Sequence, residues 1–258
     1  MDVFIVETID QLIDKVIDIK RKTIKIEDMT KRIWFRGHSN ESFELLPSVK
    51  RGNKYTGKED ILVNNFYQSA RGMMAEAPRR EDFVYWLSRM QHYGLPTRLL
   101  DWTRVPLIAL YFAVNKDFDK DGCIWTLNPS LFNLKQMGSP VTYHMDANTV
   151  RPFLQPAFRR YNDVLDEYKE KIENKVIACV SVEYDLRIIH QQSAFTIHQS
   201  DTPLEKLGVD DCMQKIIIPA KFKEGLFMRL ECCGYTLSYM FPDFEHIAMD
   251  VINRVNEG

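Results

Sequence analysis

The sequence predicts one α+β domain in which a mixed sheet packs against several helices. Strand-like segments are separated by helical segments of uneven length, without the regular alternation of a βαβ protein. Residues 107–114 are apolar on nearly every side of a helix, which is typical of a helix in the centre of a fold. The 258 residues suffice for one large core, and no Pro-, Gly- or Ser-rich linker divides them.

Helices are predicted where apolar residues recur at intervals of three and four. Thr8 and Gln11 resemble a capping box and predict an N-terminal helix within residues 1–29. Asp101 or Thr103 is the predicted cap of the central helix, which has Pro106 in its first turn. Further helices are predicted over residues 57–77, 80–94, 156–172 and 222–234. A last helix follows residue 242, with an inner stripe formed by Phe244, Ile247, Ala248, Val251, Ile252 and Val255.

Strands are predicted over residues 32–37, 122–127, 176–182, 194–198 and 214–219. In the first of them, alternation places Ile33 and Phe35 on one face and Trp34 and Arg36 on the other. Arg36 is therefore expected to point away from the side that carries Phe35.

Composition limits the classes of function. A formal net charge of -2 gives no general attraction to nucleic acids or anionic membranes, so any binding to a polyanion is expected to be local. No apolar run approaches about 18 residues and no export signal is visible, so a cytoplasmic protein without a membrane partner is expected. The five cysteines are predicted to be reduced and mostly buried, with Cys232 and Cys233 in core packing. The histidine spacing predicts no metal site.

The dipeptide Arg36–Gly37 has two interpretations. A buried charge is costly unless it is paired or serves a ligand. Arg36 either pairs with a carboxylate at a strand end where Gly37 permits a turn, or it grips a phosphate or ribose while Gly37 lets the ligand approach the backbone.

A denser polar cluster spans residues 92–103. Arg98 and Asp101 are spaced to form a local salt bridge, with Asp101 capping the following helix. The alternative is a ligand cradle at a helix N-terminus, with aromatic faces for a base and hydroxyls for sugar or phosphate. A third polar segment carries Gln191 and Gln192, which can donate and accept at a ligand, although a pair of glutamines more often lies on the surface.

With these residues assembled, the chain resembles FRG-domain proteins, a bacterial and phage family named for the motif that stands here as Phe35–Arg36–Gly37. The resemblance continues through residues 91–94, 97–103, 109–113, 187–188, 191–198 and 241–243, and covers roughly residues 30–250. Ser193 stands where glycine is expected. The helix predicted in residues 1–29 precedes the FRG domain that the resemblance implies over residues 30–258.

A more distant similarity to ADP-ribosyltransferases implies NAD as substrate. In those enzymes a first-strand arginine or histidine holds NAD, and a late-strand glutamate stabilises the oxocarbenium-like transition state. Here Gln191 or Gln192 stands where that glutamate is expected, and Asp101 or Glu183 are substitutes to consider. The implied catalytic residues are Arg36, Asp101 and Gln192. The implied NAD-contacting residues are Arg36, Gly37, His92, Tyr93, Thr97, Arg98, Trp102 and Gln191.

The leading hypothesis is therefore an NAD-binding, ADP-ribosyltransferase-like enzyme that acts as a toxin or phage-conflict effector. The alternative is a non-catalytic module that binds a nucleotide or a protein in phage defence or counter-defence. The acceptor stays open among protein, nucleic acid and small molecule. The candidate residues are expected to converge on one concave pocket.

Overall fold

The computed structural model describes residues 2–23, 32–159, 172–181 and 186–256. Its eight strands are β1 (Asp2–Ile5), β2 (Trp34–His38), β3 (Leu99–Thr103), β4 (Gly122–Leu127), β5 (Tyr143–His144), β6 (Val176–Val180), β7 (Ser193–His198) and β8 (Met213–Ile218). They form one mixed sheet in the order β1-β8-β4-β2-β3-β7-β6-β5. The predicted α+β class is confirmed.

Helices cover both the core and the periphery of the sheet. Within the described residues they are α1 (Ile9–Thr23), α2 (Glu59–Arg71), α3 (Phe83–His92), α4 (Pro106–Val114), α5 (Pro129–Met137), α6 (Arg151–Leu154), α7 (Leu186–His190), α8 (Ala220–Cys232), α9 (Leu237–Met240) and α10 (Phe244–Asn256). None of these helices combines the length and the apolar character that crossing a membrane requires.

The sheet consists of two four-stranded halves that barely join. Strands β2 and β4 pair over five residues, as do β3 and β7. Strands β2 and β3 share only the pair Phe35 and Thr103. Beyond that pair the two halves separate, so the sheet opens beside Arg36 and Asp101.

Helix α4 is the centre of the fold, as its sequence predicts. Its residues Ile108, Ala109 and Ala113 are buried in one cluster with Phe35 of β2. Gly37 lies directly against this helix, because a methyl group at its Cα would stand 1.9 Å from the Ala109 carbonyl oxygen. The glycine of the Arg-Gly pair thus lets β2 and α4 approach closely.

The N-terminal segment is joined to the sheet. Thr8 caps the helix as predicted, since its Oγ1 accepts from Gln11 N at 3.2 Å, but Gln11 Oε1 accepts at 2.8 Å from Glu7 N rather than from Thr8 N as in a full capping box. Helix α1 buries Leu12 and Val16 in the α4 cluster. Strand β1, which the sequence analysis does not predict, pairs in parallel with β8. The domain boundaries at residues 29 and 30 stay a prediction.

The predicted cap of α4 is wrong. Residues 99–103 form strand β3, which pairs with β7, and the helix begins only at Pro106 with Val105 at its N-cap position. Asp101 therefore lies in the middle of a strand, and Thr103 Oγ1 accepts a hydrogen bond from Val105 N at 3.1 Å outside the helix. The pairing partner of this strand lies some ninety residues away, and no local pattern reports it.

Two predictions about burial near the C-terminus are also wrong. The apolar stripe of α10 is exposed, and Phe244 retains 91% of its accessible surface. This helix packs through its polar side, where Asp250 accepts a hydrogen bond from Ser238 N at 2.9 Å. Cys232 and Cys233 are exposed at the end of α8 rather than buried in the core. Of the helix predicted over residues 156–172, residues 160–171 lie outside the described residues.

Candidate functional site

A cleft of ≈ 150 Å³ lies where the two halves of the sheet separate. Strands β2 and β3 form one wall, α4 forms its floor, and α7 closes one side. A space of about 150 Å³ can hold a benzene ring, so the cleft suits one planar ring rather than a whole dinucleotide. Its lining residues are Phe35, Arg36, Gly37, Asp101, Trp102, Thr103, Ile108, Ala109, Phe112, Arg187 and Gln191.

Arg36 spans the gap between the halves. Its Nη1 donates to the backbone oxygen of Asp101 at 2.6 Å, and its Nε donates to His38 Nε2 at 3.0 Å. Burial lowers the pKa of Arg36 to about 10, so the guanidinium stays charged at neutral pH. Within the described residues the second terminal nitrogen, Nη2, has no hydrogen-bond partner. One edge of the guanidinium is therefore structural, and the other is available to a ligand.

His38 fixes the orientation of Arg36. Burial, reinforced by the positive charge of Arg36, lowers the pKa of His38 to about 2, so the imidazole is neutral. Its Nδ1 lies 3.1 Å from the Phe43 carbonyl oxygen, which can only accept. Nδ1 therefore carries the proton, and Nε2 is free to accept from Arg36.

Asp101 carries the only carboxylate among the described residues that line the cleft. Its Oδ1 accepts from Gln91 Nε2 at 2.6 Å, and its Oδ2 lies 3.9 Å from Arg36 Nη1. Gln91 is in turn oriented by the buried Thr97, whose hydroxyl donates to Gln91 Oε1. The Asp101 side chain is still 49% exposed. It is thus an oriented carboxylate that a ligand can reach.

Helix α7 supplies the opposite wall of the cleft. Gln191, at its end, accepts from Thr103 Oγ1 at 2.6 Å through its carbonyl oxygen and donates from Nε2 to the Met240 carbonyl at 2.8 Å. Arg187 stacks over Phe241 at 4.7 Å. It has no carboxylate partner within the described residues.

Among the described residues that line the cleft, positive charge exceeds negative charge. Arg36 and Arg187 line it against the single carboxylate of Asp101. Arg51 lies close enough for its positive charge to lower the pKa of Arg36. Burial lowers the pKa of Arg51 itself, and the negative charge of Asp101 partly offsets that effect. The arrangement favours an anionic ligand.

The predicted site residues do not all meet in this cleft. Arg36, Gly37, Asp101, Trp102 and Gln191 line it. His92 lines a smaller adjoining hollow. The others lie outside: Thr97 is buried behind Gln91, Tyr93 is 65% exposed on the surface, and the side chain of Gln192 is exposed while its carbonyl accepts from Arg104.

Arg98 holds α2 against β3. Its Nη2 donates to Glu59 Oε2 at 2.6 Å, and its Nη1 donates to the Phe153 carbonyl at 3.0 Å. Both side chains of the ion pair are buried. The local salt bridge between Arg98 and Asp101 is not formed, because a strand directs these two side chains differently from a helix.

We expect Arg98→Met to lower the free energy of unfolding by about 3–5 kcal/mol, because it leaves the Glu59 carboxylate buried without its partner. Urea unfolding followed by circular dichroism measures this loss. The matched control removes a surface ion pair with Lys206→Ala, which separates Lys206 from Glu44 and should leave the midpoint nearly unchanged. Equal midpoints for wild type and Arg98→Met would contradict the structural role of Arg98.

Three residues that line or orient the site, His38, Gln91 and Arg187, are not among the predicted site residues. The sequence could have identified His38, because strand alternation places it on the same face as Arg36. Gln91 belongs to the motif but carries no charge that singles it out. Arg187 lies in a stretch that carries the family resemblance, but no local pattern shows that its side chain reaches the cleft.

A family model described as the FRG domain matches residues 31–122. The matched stretch contains β2, α2, α3, β3 and α4, and with them Arg36, Gly37 and Asp101. The wall formed by α7 lies beyond it. No curated protein and no solved structure matches the chain.

Proposed function

Because this chain carries an FRG domain, we propose that the cleft of that domain binds NAD and that the protein is an ADP-ribosyltransferase-like enzyme. The observation that carries the proposal is the opening of the sheet between β2 and β3, where Arg187 on one wall of a ring-sized cleft faces Arg36 and Asp101 on the other. NAD is the cofactor proposed as substrate, and no metal is part of the proposal.

The charges suit a dinucleotide. A pyrophosphate is an anion that arginine binds through paired N–H groups, and Arg36 and Arg187 offer such groups at the cleft. The rest of the dinucleotide would lie outside, toward Arg51, because the cleft holds only a ring and its substituent. We propose that the nicotinamide end enters the cleft, because Asp101, which would stabilise the ribose cation, lines it.

The chemistry would depend on Asp101. Cleavage of the bond between nicotinamide and ribose develops positive charge on the ribose, and a fixed carboxylate stabilises that charge. Gln91 and Thr97 hold the Asp101 carboxylate in place before the ligand arrives. Such preorganisation is the usual source of electrostatic catalysis.

A second candidate function is a non-catalytic module that binds a nucleotide through the same cleft. The observation that favours it concerns Gln191, whose amide nitrogen is already bonded to the Met240 carbonyl. No glutamate lines the cleft within the described residues, and Glu183 lies outside them. A toxin or phage-conflict role, and a protein or nucleic acid as acceptor, stay predictions under either candidate.

Calorimetry with NAD, combined with an assay for released nicotinamide, separates the two candidates. The enzyme binds NAD and releases nicotinamide, with or without a cell extract that supplies acceptors. The module binds NAD or a related nucleotide without turnover. Absence of both binding and release, even with extract, would overturn the proposal for NAD.

We expect Arg187→Ala to weaken NAD binding by about 1.5–3 kcal/mol, since one charge-assisted contact is lost. Arg187 is the informative arginine because its described contacts are limited to the Phe241 ring, so its removal leaves no buried group unpaired. Replacing Arg36 would instead leave His38 Nε2 and the Asp101 carbonyl oxygen without the hydrogen bonds that Arg36 donates to them. Calorimetry measures the change.

The control for this measurement is Arg71→Ala, which removes an exposed arginine at the end of α2. Its affinity for NAD should equal that of the wild type at the same ionic strength. If both variants lose affinity equally, the attraction is a general effect of charge and the cleft is not the binding site.

A further inference from the structure

A pocket of ≈ 230 Å³ lies at one end of the sheet. It is found where β3, β5 and β6 end and where β2 and β7 begin. It is larger than a cavity of about 150 Å³, which can hold a benzene ring, so it has room for a phosphate group. We call it the basic pocket, and its polar lining residues are Arg32, Arg104, His144, Ser181 and Ser193.

Two arginines give the basic pocket its charge. Arg104 donates from Nε to the Gln192 carbonyl oxygen at 3.3 Å, and its two terminal nitrogens have no hydrogen-bond partner within the described residues. Arg32 is exposed and forms no ion pair with a described residue. No carboxylate lines the pocket in the described part of the chain. The charge of the described lining residues is therefore positive.

Ser193 adds a buried hydroxyl to the lining. The residue is 7% exposed, and its Oγ has no hydrogen-bond partner within the described residues. The oxygen is not fully enclosed by protein, so a ligand in a space that Ser193 lines can reach it. Those spaces are the basic pocket and the smaller hollow beside the cleft. A buried hydroxyl needs a hydrogen-bond partner, which favours a polar occupant.

We propose that the basic pocket binds a phosphate group. A phosphate monoester carries about −1.5 to −2 charges at neutral pH, which two arginines balance. Its oxygens accept the paired N–H groups of a guanidinium, and the Ser193 hydroxyl and the His144 imidazole can donate further hydrogen bonds. The phosphate group belongs either to free inorganic phosphate or to a nucleotide monophosphate. The proposal holds independently of NAD as a substrate.

The basic pocket is separate from the place proposed for the pyrophosphate of NAD. That pyrophosphate would extend from the cleft toward Arg51, which lies near the start of β3, since Val49 N donates to the Thr97 carbonyl oxygen at 3.4 Å. Arg104 follows the last residue of the same strand. A strand of five residues is about 17 Å long, so the two positions lie at opposite ends of β3.

Arg104→Gln is the first test variant. It removes a charge-assisted hydrogen bond but keeps a polar side chain, so the affinity for phosphate should fall about 10-fold or more. Arg32→Gln should act in the same direction. Both arginines are exposed, so neither variant should lower the melting temperature. Ser193→Ala deletes only a neutral hydrogen bond and should weaken binding by about 2–10-fold.

Calorimetry titrates inorganic phosphate, AMP and adenosine into the whole chain at constant ionic strength, which keeps general screening equal. The control variant is Arg71→Gln, which removes an exposed arginine at the end of α2. Binding of phosphate or AMP that Arg104→Gln weakens and Arg71→Gln does not would support the proposal. Tighter binding of AMP than of phosphate, with no binding of adenosine, would support it with a nucleotide as the source, and equal affinities would support it with free phosphate. Absence of binding by both phosphate and AMP would overturn it, as would equal weakening by Arg71→Gln.

NAD serves as the reciprocal probe. Arg187→Ala should weaken NAD binding and leave phosphate binding unchanged, because Arg187 does not line the basic pocket. Arg104→Gln should do the opposite. Loss of NAD affinity in Arg104→Gln would assign the basic pocket to the dinucleotide site and overturn its separate role. A chain that binds phosphate but neither binds nor cleaves NAD would support this proposal and overturn only the proposed function.

Discussion

Gly37→Ala is expected to abolish most of the native stability of this protein. The added methyl group would stand 1.9 Å from the Ala109 carbonyl oxygen and 2.8 Å from the Ala113 nitrogen. Both atoms belong to the backbone of the central helix, so no side chain can rotate away to make room. Overpacking in a core costs about 1–3 kcal/mol when the surroundings yield, and a backbone clash of this kind exceeds that range.

Urea unfolding and soluble yield measure the effect of Gly37→Ala. The matched control is Gly225→Ala in α8, where an added methyl group meets nothing within 4 Å. That change should stabilise the protein by about 0.5–1 kcal/mol, because alanine favours the helix. A Gly37→Ala protein with wild-type stability would mean that β2 and α4 do not touch at this position.

Asp101→Asn is expected to slow nicotinamide release by about 10²–10³-fold, the range seen when one preorganised electrostatic group is removed from an active site. Asparagine keeps the shape of the side chain, and its oxygen can still accept from Gln91. Only the negative charge that would stabilise the ribose cation is lost. Binding of NAD should change little, because the pyrophosphate is held by the arginines.

Steady-state kinetics and calorimetry on the same preparation separate the two effects of Asp101→Asn. The control is Asp146→Asn, which neutralises an exposed carboxylate that lines neither the cleft nor the smaller hollow beside it. A variant at Asp101 that binds NAD and turns over at the wild-type rate would exclude a catalytic role for this carboxylate. The second candidate, a binding module, would then have to explain the site.

The elements that local patterns predict well are those with strong periodicity. The strands over residues 122–127 and 194–198, and the buried helix at 107–114, appear as β4, β7 and α4. Alternation also predicts that Arg36 and Phe35 point to opposite faces. These predictions succeed because a helix or strand repeats its environment every few residues, and the sequence records that repeat directly.

The errors occur where long-range contacts outweigh the local pattern. Residues 99–103 form a strand because β7 offers a partner for their backbone groups, although they precede a helix closely enough to suggest a cap. The stripe of α10 has the spacing of a buried face, yet Asp250 turns the polar side of that helix inward. Periodicity identifies an apolar face but not what the face packs against.

The sequence by itself determined the fold class, the family motif and the presence of a charged cluster around Arg36 and Asp101. The tertiary structure alone decided which of these charges share a cleft. Arg98 forms an ion pair with Glu59 instead, whereas Arg187, which is distant in sequence from Arg36 and Asp101, lines the cleft. The opening of the sheet between β2 and β3 is likewise a tertiary feature, since it depends on strands that pair elsewhere. Local sequence fixes the direction of a side chain along its own element, whereas its partner depends on packing between segments that are remote in the chain.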